Sequence, residues 1–169
     1  IYYRCARFLV GKSKKNRVTD KESKDFAYLC TNLNDCDMSD IIIGRKAEQE
    51  ILRQRIESKS PELIAIYGRR RIGKTYLVRQ YFNDTFSFYS TGIYQGTKKE
   101  QLGEFTRQLA HYSGRKWKVA KDWFDAFAQL REYLESIDGD SPIVVFLDEL
   151  PWMDTQKSRF IKAFEYFWN

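Results

Sequence analysis

Apolar residues along the chain fall into two kinds of run. Leu63-Ile64-Ala65-Ile66-Tyr67 and Ile143-Val144-Val145-Phe146-Leu147 are short and nearly continuous, while Thr85 to Thr91 alternates apolar and polar positions. Runs of that length suit β-strands, and an unbroken one suits a strand buried on both faces. Elsewhere the apolar residues return at three- and four-residue steps. They do so at Ile51, Leu52 and Ile56 within 46–58, and at Leu102, Phe105, Leu109 and Tyr112 within 98–113. They do so again at Trp123, Phe127, Leu130 and Leu134 within 122–136, and at Phe160, Ile161, Phe164 and Trp168 within 155–168. That spacing gathers them on one side of a helix and marks the aromatic stripes as core. Turn chemistry divides the runs at Ser58-Lys59-Ser60-Pro61, Asn83-Asp84, Gly114-Arg115-Lys116 and Asp138-Gly139-Asp140-Ser141-Pro142. Strand alternating with helix predicts an α/β fold with a parallel sheet, three strands of which are visible.

The first 37 residues lack this order. Their only apolar signals are Tyr2-Tyr3 and Phe8-Leu9-Val10, followed by a basic patch of Lys12, Lys14, Lys15 and Arg17. Residues 1–38 are expected to be a leader, poorly ordered or loosely docked, with an accessory arm that covers the core or binds a partner as the alternative. Met38 resembles a natural initiator. Residues 39–169 form the expected domain, opening with an extended Ile41-Ile42-Ile43-Gly44.

Between the first strand and the helix that continues through 76–82 lies Gly68-Arg69-Arg70-Arg71-Ile72-Gly73-Lys74-Thr75. It satisfies G-x-x-x-x-G-K-[ST] in the strand–loop–helix context that pattern requires. Gly68 and Gly73 permit a sharp turn and close approach of a ligand. The loop's amides and the positive end of the new helix then favour phosphate. Lys74 reaches β- and γ-phosphates as a point charge, and Thr75 offers a hydroxyl to Mg²⁺. Arg69, Arg70 and Arg71 either assist phosphates or a partner, or are solvated loop charges.

The last strand ends in Asp148-Glu149. Ligands of open α/β sheets collect at the carboxyl ends of strands. Asp148 is therefore suited to a Mg²⁺ site and Glu149 to orienting or activating water. Pro151-Trp152 reads as a rigid turn with a packed indole, or as a loop that senses the γ-phosphate; Asp154 reads as the cap of the last helix.

Three stretches together resemble the prokaryotic archaeal-type ATPases of the AAA/STAND group of P-loop NTPases. They are Ile42-Ile43-Gly44-Arg45-Lys46-Ala47-Glu48, Tyr67 to Tyr76, and Phe146-Leu147-Asp148-Glu149-Leu150-Pro151-Trp152-Met153-Asp154. The resemblance spans roughly residues 39–169 and implies ATP and Mg²⁺ as cofactors and ATP hydrolysis as the activity. It places Gly44 and Arg45 near the adenine. The nucleotide-binding set it implies is Gly44, Arg45, Gly68, Arg69, Arg70, Arg71, Ile72, Gly73, Lys74, Thr75 and Tyr76, with Thr75 and Asp148 for the metal and Lys74 and Glu149 in catalysis. It further implies a three-layer P-loop NTPase in which a later strand, carrying a polar sensor residue, enters between the loop strand and the Asp-Glu strand. The chain stops before such a strand and is read as a fragment with an apolar slot there, hence of marginal stability. Family members often carry further C-terminal domains, so these, or another protein, are expected partners.

Composition narrows the alternatives. A chain of 169 residues with 43% hydrophobic and 31% charged residues is long enough for one domain with a core. The net charge of +6 is dispersed, so nucleic-acid binding is compatible with this chain but not indicated by it. Cys5, Cys30 and Cys36, with no C-x-x-C pair, argue against a disulfide framework or zinc and favour the cytoplasm. His111 stands alone and reads as a surface or packing residue. No run is long enough for a membrane span. Besides hydrolysis, two functions stay open: a nucleotide-gated interaction module with little turnover, and a small-molecule P-loop kinase. The paired Asp148-Glu149 favours hydrolysis, because a carboxylate that activates water is unwelcome in a kinase.

Overall fold

The computed structural model describes residues 4–11, 44–58, 61–139 and 141–169. Their elements, in chain order, are β1 (Arg4–Gly11), α1 (Lys46–Glu57), β2 (Glu62–Gly68), α2 (Lys74–Tyr81), β3 (Phe88–Thr91), α3 (Lys98–Ser113), α4 (Trp123–Glu135), β4 (Ile143–Asp148), α5 (Leu150–Met153) and α6 (Phe160–Trp168). The extended Ile41 to Ile43, the basic patch at 12–17, and Cys30 and Cys36 lie outside the described residues.

The four strands form one sheet in the order β2-β1-β4-β3. β3 and β4 are parallel, from Phe88 opposite Val145 to Thr91 opposite Asp148. β1 is antiparallel to both its neighbours, with Phe8 opposite Ile64 on one side and Phe146 on the other. The sheet is therefore mixed, which corrects the expectation of a purely parallel one. It also has a fourth strand, drawn from the leader. The position between β2 and β4, expected to be an apolar slot, is held by β1. The physical reason is pairing. Two strands set apart leave two rows of backbone donors and acceptors, and any extended segment that satisfies both is favoured, whichever way it runs. Phe8-Leu9-Val10 was the signal, but Arg4 and Arg7 break the apolar run.

Helices cover the sheet on two sides. On one, β3, β4, α3, α4, α5 and α6 enclose a large core that includes Phe88, Phe105, Leu109, Trp123, Phe127, Leu130, Val145, Leu147 and Phe160. Trp123 lies at its centre, ringed by Phe105, Phe127 and Phe160 with centroids 4.8–5.9 Å away. On the other side Val78 of α2 packs on Phe146, with Ile64, Ile66, Phe82, Phe86 and Tyr89 around them.

The helices begin and end as their sequences suggest, with instructive exceptions. Thr97 and Glu100 form a reciprocal capping box at the start of α3, and Gly114 ends it in the left-handed conformation. Asp122 caps α4 through the Asp125 amide. The last helix starts at Phe160, not Thr155: residues 155–159 turn instead, with Lys157 and Arg159 at positive φ. Asp154 accordingly does not cap that helix; its carboxylate accepts from the Ser158 hydroxyl at 3.4 Å. Ile51 and Ile161, expected inside, are exposed. Each stands one position from the buried residue, Leu52 or Phe160, that sets the phase of its helix. His111 is exposed, its ring edge-on to Tyr112.

Candidate functional site

The loop between β2 and α2 is set by its backbone. Gly73 takes φ 76, a left-handed conformation that glycine adopts without a Cβ penalty, and α2 begins directly after it with no side-chain cap. The first amides of α2 are thus left to a ligand, at the end of the helix where its dipole favours an anion. Leu77 and Val78 are buried and anchor the helix from below.

Lys74 is buried, and its ammonium donates to the carbonyls of Gly68 at 3.0 Å and Arg69 at 2.8 Å. The ammonium is therefore solvated by the loop's own carbonyls, in hydrogen bonds weaker than those a phosphate would offer. Arg69, Arg70, Arg71, Ile72 and Tyr76 are exposed around this cradle, and Arg71 sits at φ 61. The Arg45 guanidinium donates to the Ile72 carbonyl, and the Gln49 amide donates to the Gly44 carbonyl at 3.0 Å. The start of α1 is thereby tied to the apex of the loop. Gly44 and Arg45, distant in sequence, stand beside the loop that the phosphate pattern identified.

The second half of the site is the tip of β4. The Thr75 hydroxyl donates to Asp148 Oδ2 at 2.8 Å, joining two motifs separated by 73 positions. Asp148 and Glu149 are 7% and 8% exposed. Asp148 Oδ1 accepts from the Glu149 amide at 2.9 Å, which fixes the carboxylate with its second oxygen toward Thr75. Glu149 itself is left-handed, φ 51, and opens α5. On the neighbouring strand Thr91 is in register with Asp148, and two residues back Tyr89 carries a phenol whose pKa is raised, first by burial and then by the Asp148 charge. Burial and a nearby anion both disfavour the phenolate, so Tyr89 stays neutral near this acid.

Two oxygen donors, one of them a carboxylate, fit Mg²⁺, a hard cation that keeps several waters and completes its shell with phosphate. Among the described residues no cluster of three or more His, Cys, Asp or Glu forms a self-sufficient metal cage. Thr75 and Asp148 are the oxygen donors that this site offers a hard cation. No described helix is long and apolar enough to cross a membrane.

Sequence reading missed Gly92. Its amide donates to the Asp148 carbonyl at 3.0 Å, and its Cα lies against Glu149. The available signal was a glycine directly after an alternating strand, which marks close backbone approach. Gln101 was also missed: a buried polar residue on the apolar side of a helix, bonded to the backbone of Ile93.

No known family pattern and no solved structure matches the chain. It is similar to an uncharacterized protein of Methanocaldococcus jannaschii, 24% identical over 125 residues, which is 74% of this chain and 25% of that protein. The chain thus spans a quarter of the length of that relative. It is also similar to an uncharacterized ATP-binding protein of the same organism, 36% identical over 44 residues, or 26% of this chain and 75% of that protein. With three quarters of this second relative matched at that identity, the chain belongs to the same family as the Methanocaldococcus jannaschii protein.

Proposed function

We propose that the chain binds ATP with Mg²⁺ and hydrolyses it, as part of the ATPase core of an archaeal-type P-loop ATPase that drives a switch or a partner domain in the cytoplasm. The observation that carries this reading is the 2.8 Å hydrogen bond between Thr75 and Asp148, because it brings the phosphate loop and the acid pair to one place. The family tie to a protein described as ATP-binding supports the choice of nucleotide.

On this reading the loop amides of Gly68 to Thr75 receive the triphosphate. Lys74 leaves the carbonyls of Gly68 and Arg69 for the β- and γ-phosphates. Thr75 and Asp148 hold Mg²⁺, which when bound offsets the charge of the phosphate oxygens. Glu149 orients a water in line with the γ-phosphorus and takes its proton as the new O–P bond forms. The bond from phosphorus to the bridging oxygen breaks, and ADP leaves with the electron pair. Water is the acceptor, so a kinase substrate is not required.

Calorimetric titration with Mg·ATP and a phosphate-release assay test the assignment together. Lys74→Ala is expected to abolish binding. Glu149→Gln is expected to keep binding within about threefold and to lower release by about a hundredfold or more, the scale of a lost general base. Equal loss of binding in both variants contradicts the roles assigned.

A further inference from the structure

The acid-bearing turn is held from outside its own strand. The loop that leaves β3, residues 92–97, packs against it as a second wall. Beyond the hydrogen bond from Gly92 to the Asp148 carbonyl, the fit is close. A Cβ on Gly92 would press into the Glu149 carbonyl oxygen and lie 2.9 Å from Trp152 Cβ and 3.2 Å from the Met153 nitrogen. Gly92 is not among the positive-φ glycines, so an alanine there would be at ease in its backbone. Space alone demands the glycine. The carbonyl that fills this space also accepts the Trp152 amide at 2.9 Å. Displacing it unseats the start of α5 and the residue before it, Glu149.

The rest of the loop is fixed as firmly. The Gln101 amide accepts from the Ile93 N–H at 2.9 Å, donates to the Ile93 carbonyl at 2.7 Å and reaches the Gly96 carbonyl at 3.5 Å. Tyr94, 61% exposed, stands edge-on to Trp152 with centroids 4.5 Å apart. Aromatic pairs of this geometry add to packing even at a surface. A short loop displaying a tyrosine to water has no need of a buried amide clamp for its own sake. The clamp fixes what the loop touches, and that is the turn carrying Glu149.

We infer that Gly92 is a positioning residue for Glu149: its bare Cα lets the β3–α3 loop brace the Glu149 backbone and so sets where the carboxylate meets the attacking water. The inference rests on the hydrolase reading above. Positioning of this kind is steep, since a displacement of about 1 Å can cost about a hundredfold in rate.

The test is a mutant cycle in the full chain. Gly92→Ala is expected to lower phosphate release at saturating Mg·ATP by about tenfold to a hundredfold, with Mg·ATP affinity within about threefold. Residues that act through one group are not additive. Gly92→Ala combined with Glu149→Gln should therefore be no slower than Glu149→Gln alone. Tyr94→Ala, an exposed change that removes the brace without filling space, should slow release severalfold at unchanged affinity, and it serves if Gly92→Ala does not fold. Rates that multiply in the double variant, an affinity that falls in step with the rate, or an unchanged rate in Tyr94→Ala and Gly92→Ala overturns the positioning role. A protein that binds Mg·ATP but releases no phosphate overturns the hydrolase reading itself.

Discussion

β2 and β4 were predicted from the same kind of apolar run, and the fold treats them differently. Every residue of β4 from Val144 onward is buried, with Val145 and Leu147 in the large core and Phe146 on the α2 side. β2 alternates half-buried and exposed positions along its whole length. Leu63 is 37% exposed and Tyr67 76% exposed. β4 thus presents the acids from a strand clamped on both faces, whereas β2 presents the Gly68 to Thr75 loop from a strand covered on one. The lesson is a division of labour. Asp148 and Glu149 occupy fixed places before any ligand arrives, while the loop half has fewer contacts to keep it in one arrangement. Nucleotide binding on the proposed reading would finish the loop half more than the acid half.

The sharpest way to break this comparison is to remove packing from each half. Trp123→Ala empties the centre of the core under the acids and should destabilise the chain by about 3–5 kcal/mol. Tyr67→Ser, on the open side of β2, should change stability by no more than about 0.5 kcal/mol. Urea unfolding of the two variants reads the difference directly. Similar losses in both would mean that the halves are equally packed, and the contrast would go.

A second test attacks the joint between the halves. β2 and β4 do not pair with each other; β1 pairs with both, and Arg7 lies opposite Ala65 on one side and Leu147 on the other. Proline cannot donate to a ladder and is excluded from central strands. Arg7→Pro should therefore cost roughly 3 kcal/mol, the scale of proline in other regular structure. It should also lower Mg·ATP affinity, because the Thr75 to Asp148 contact spans the strand it disrupts. Unchanged stability and affinity in urea unfolding and calorimetry would show that the leader strand takes no part in holding the two motifs together.

Most of what the sequence made legible was local. The helix at 98–113 was readable to the residue because its apolar residues return at helical steps and Gly114 closes it; the capping box of Thr97 and Glu100 came to light only in the structure. The turn from β2 into α2 was readable because Gly68 and Gly73 bracket it between an apolar run and a helical one. Long-range pairing was not. Nothing in Phe8-Leu9-Val10 says which strands it will join or in which direction, since an apolar segment of three residues suits many registers. The late start of α6 was hidden for a related reason. Lys157 and Arg159 adopt positive φ without being glycine or asparagine, so the turn carries no composition signal. Gly92 and Gln101 escaped because their roles are contacts: the Gly92 Cα meets the Glu149 carbonyl only once β3 lies beside β4, and the Gln101 amide meets the Ile93 backbone only once the loop folds back on its helix.

The finest test concerns the loop that stands against the acid half. Glu100 accepts from the Thr97 amide at 2.7 Å and from its hydroxyl at 2.8 Å, and these bonds hold its pKa below the ordinary carboxylate range. A carboxylate depressed in the folded state adds stability above its unfolded pKa, near 4.3, and loses it as pH falls through the lower folded value. Glu100→Gln keeps an acceptor for the capping box but removes the titration. Melting curves of the two proteins should therefore agree closely at pH 7 and differ in slope below about pH 4.3, with the glutamate form falling more steeply. The group is exposed, so the difference is small. Parallel acid limbs would mean that the cap does not depend on the Glu100 charge, and the clamp at the start of α3 would then rest on Gln101 and Thr97 alone.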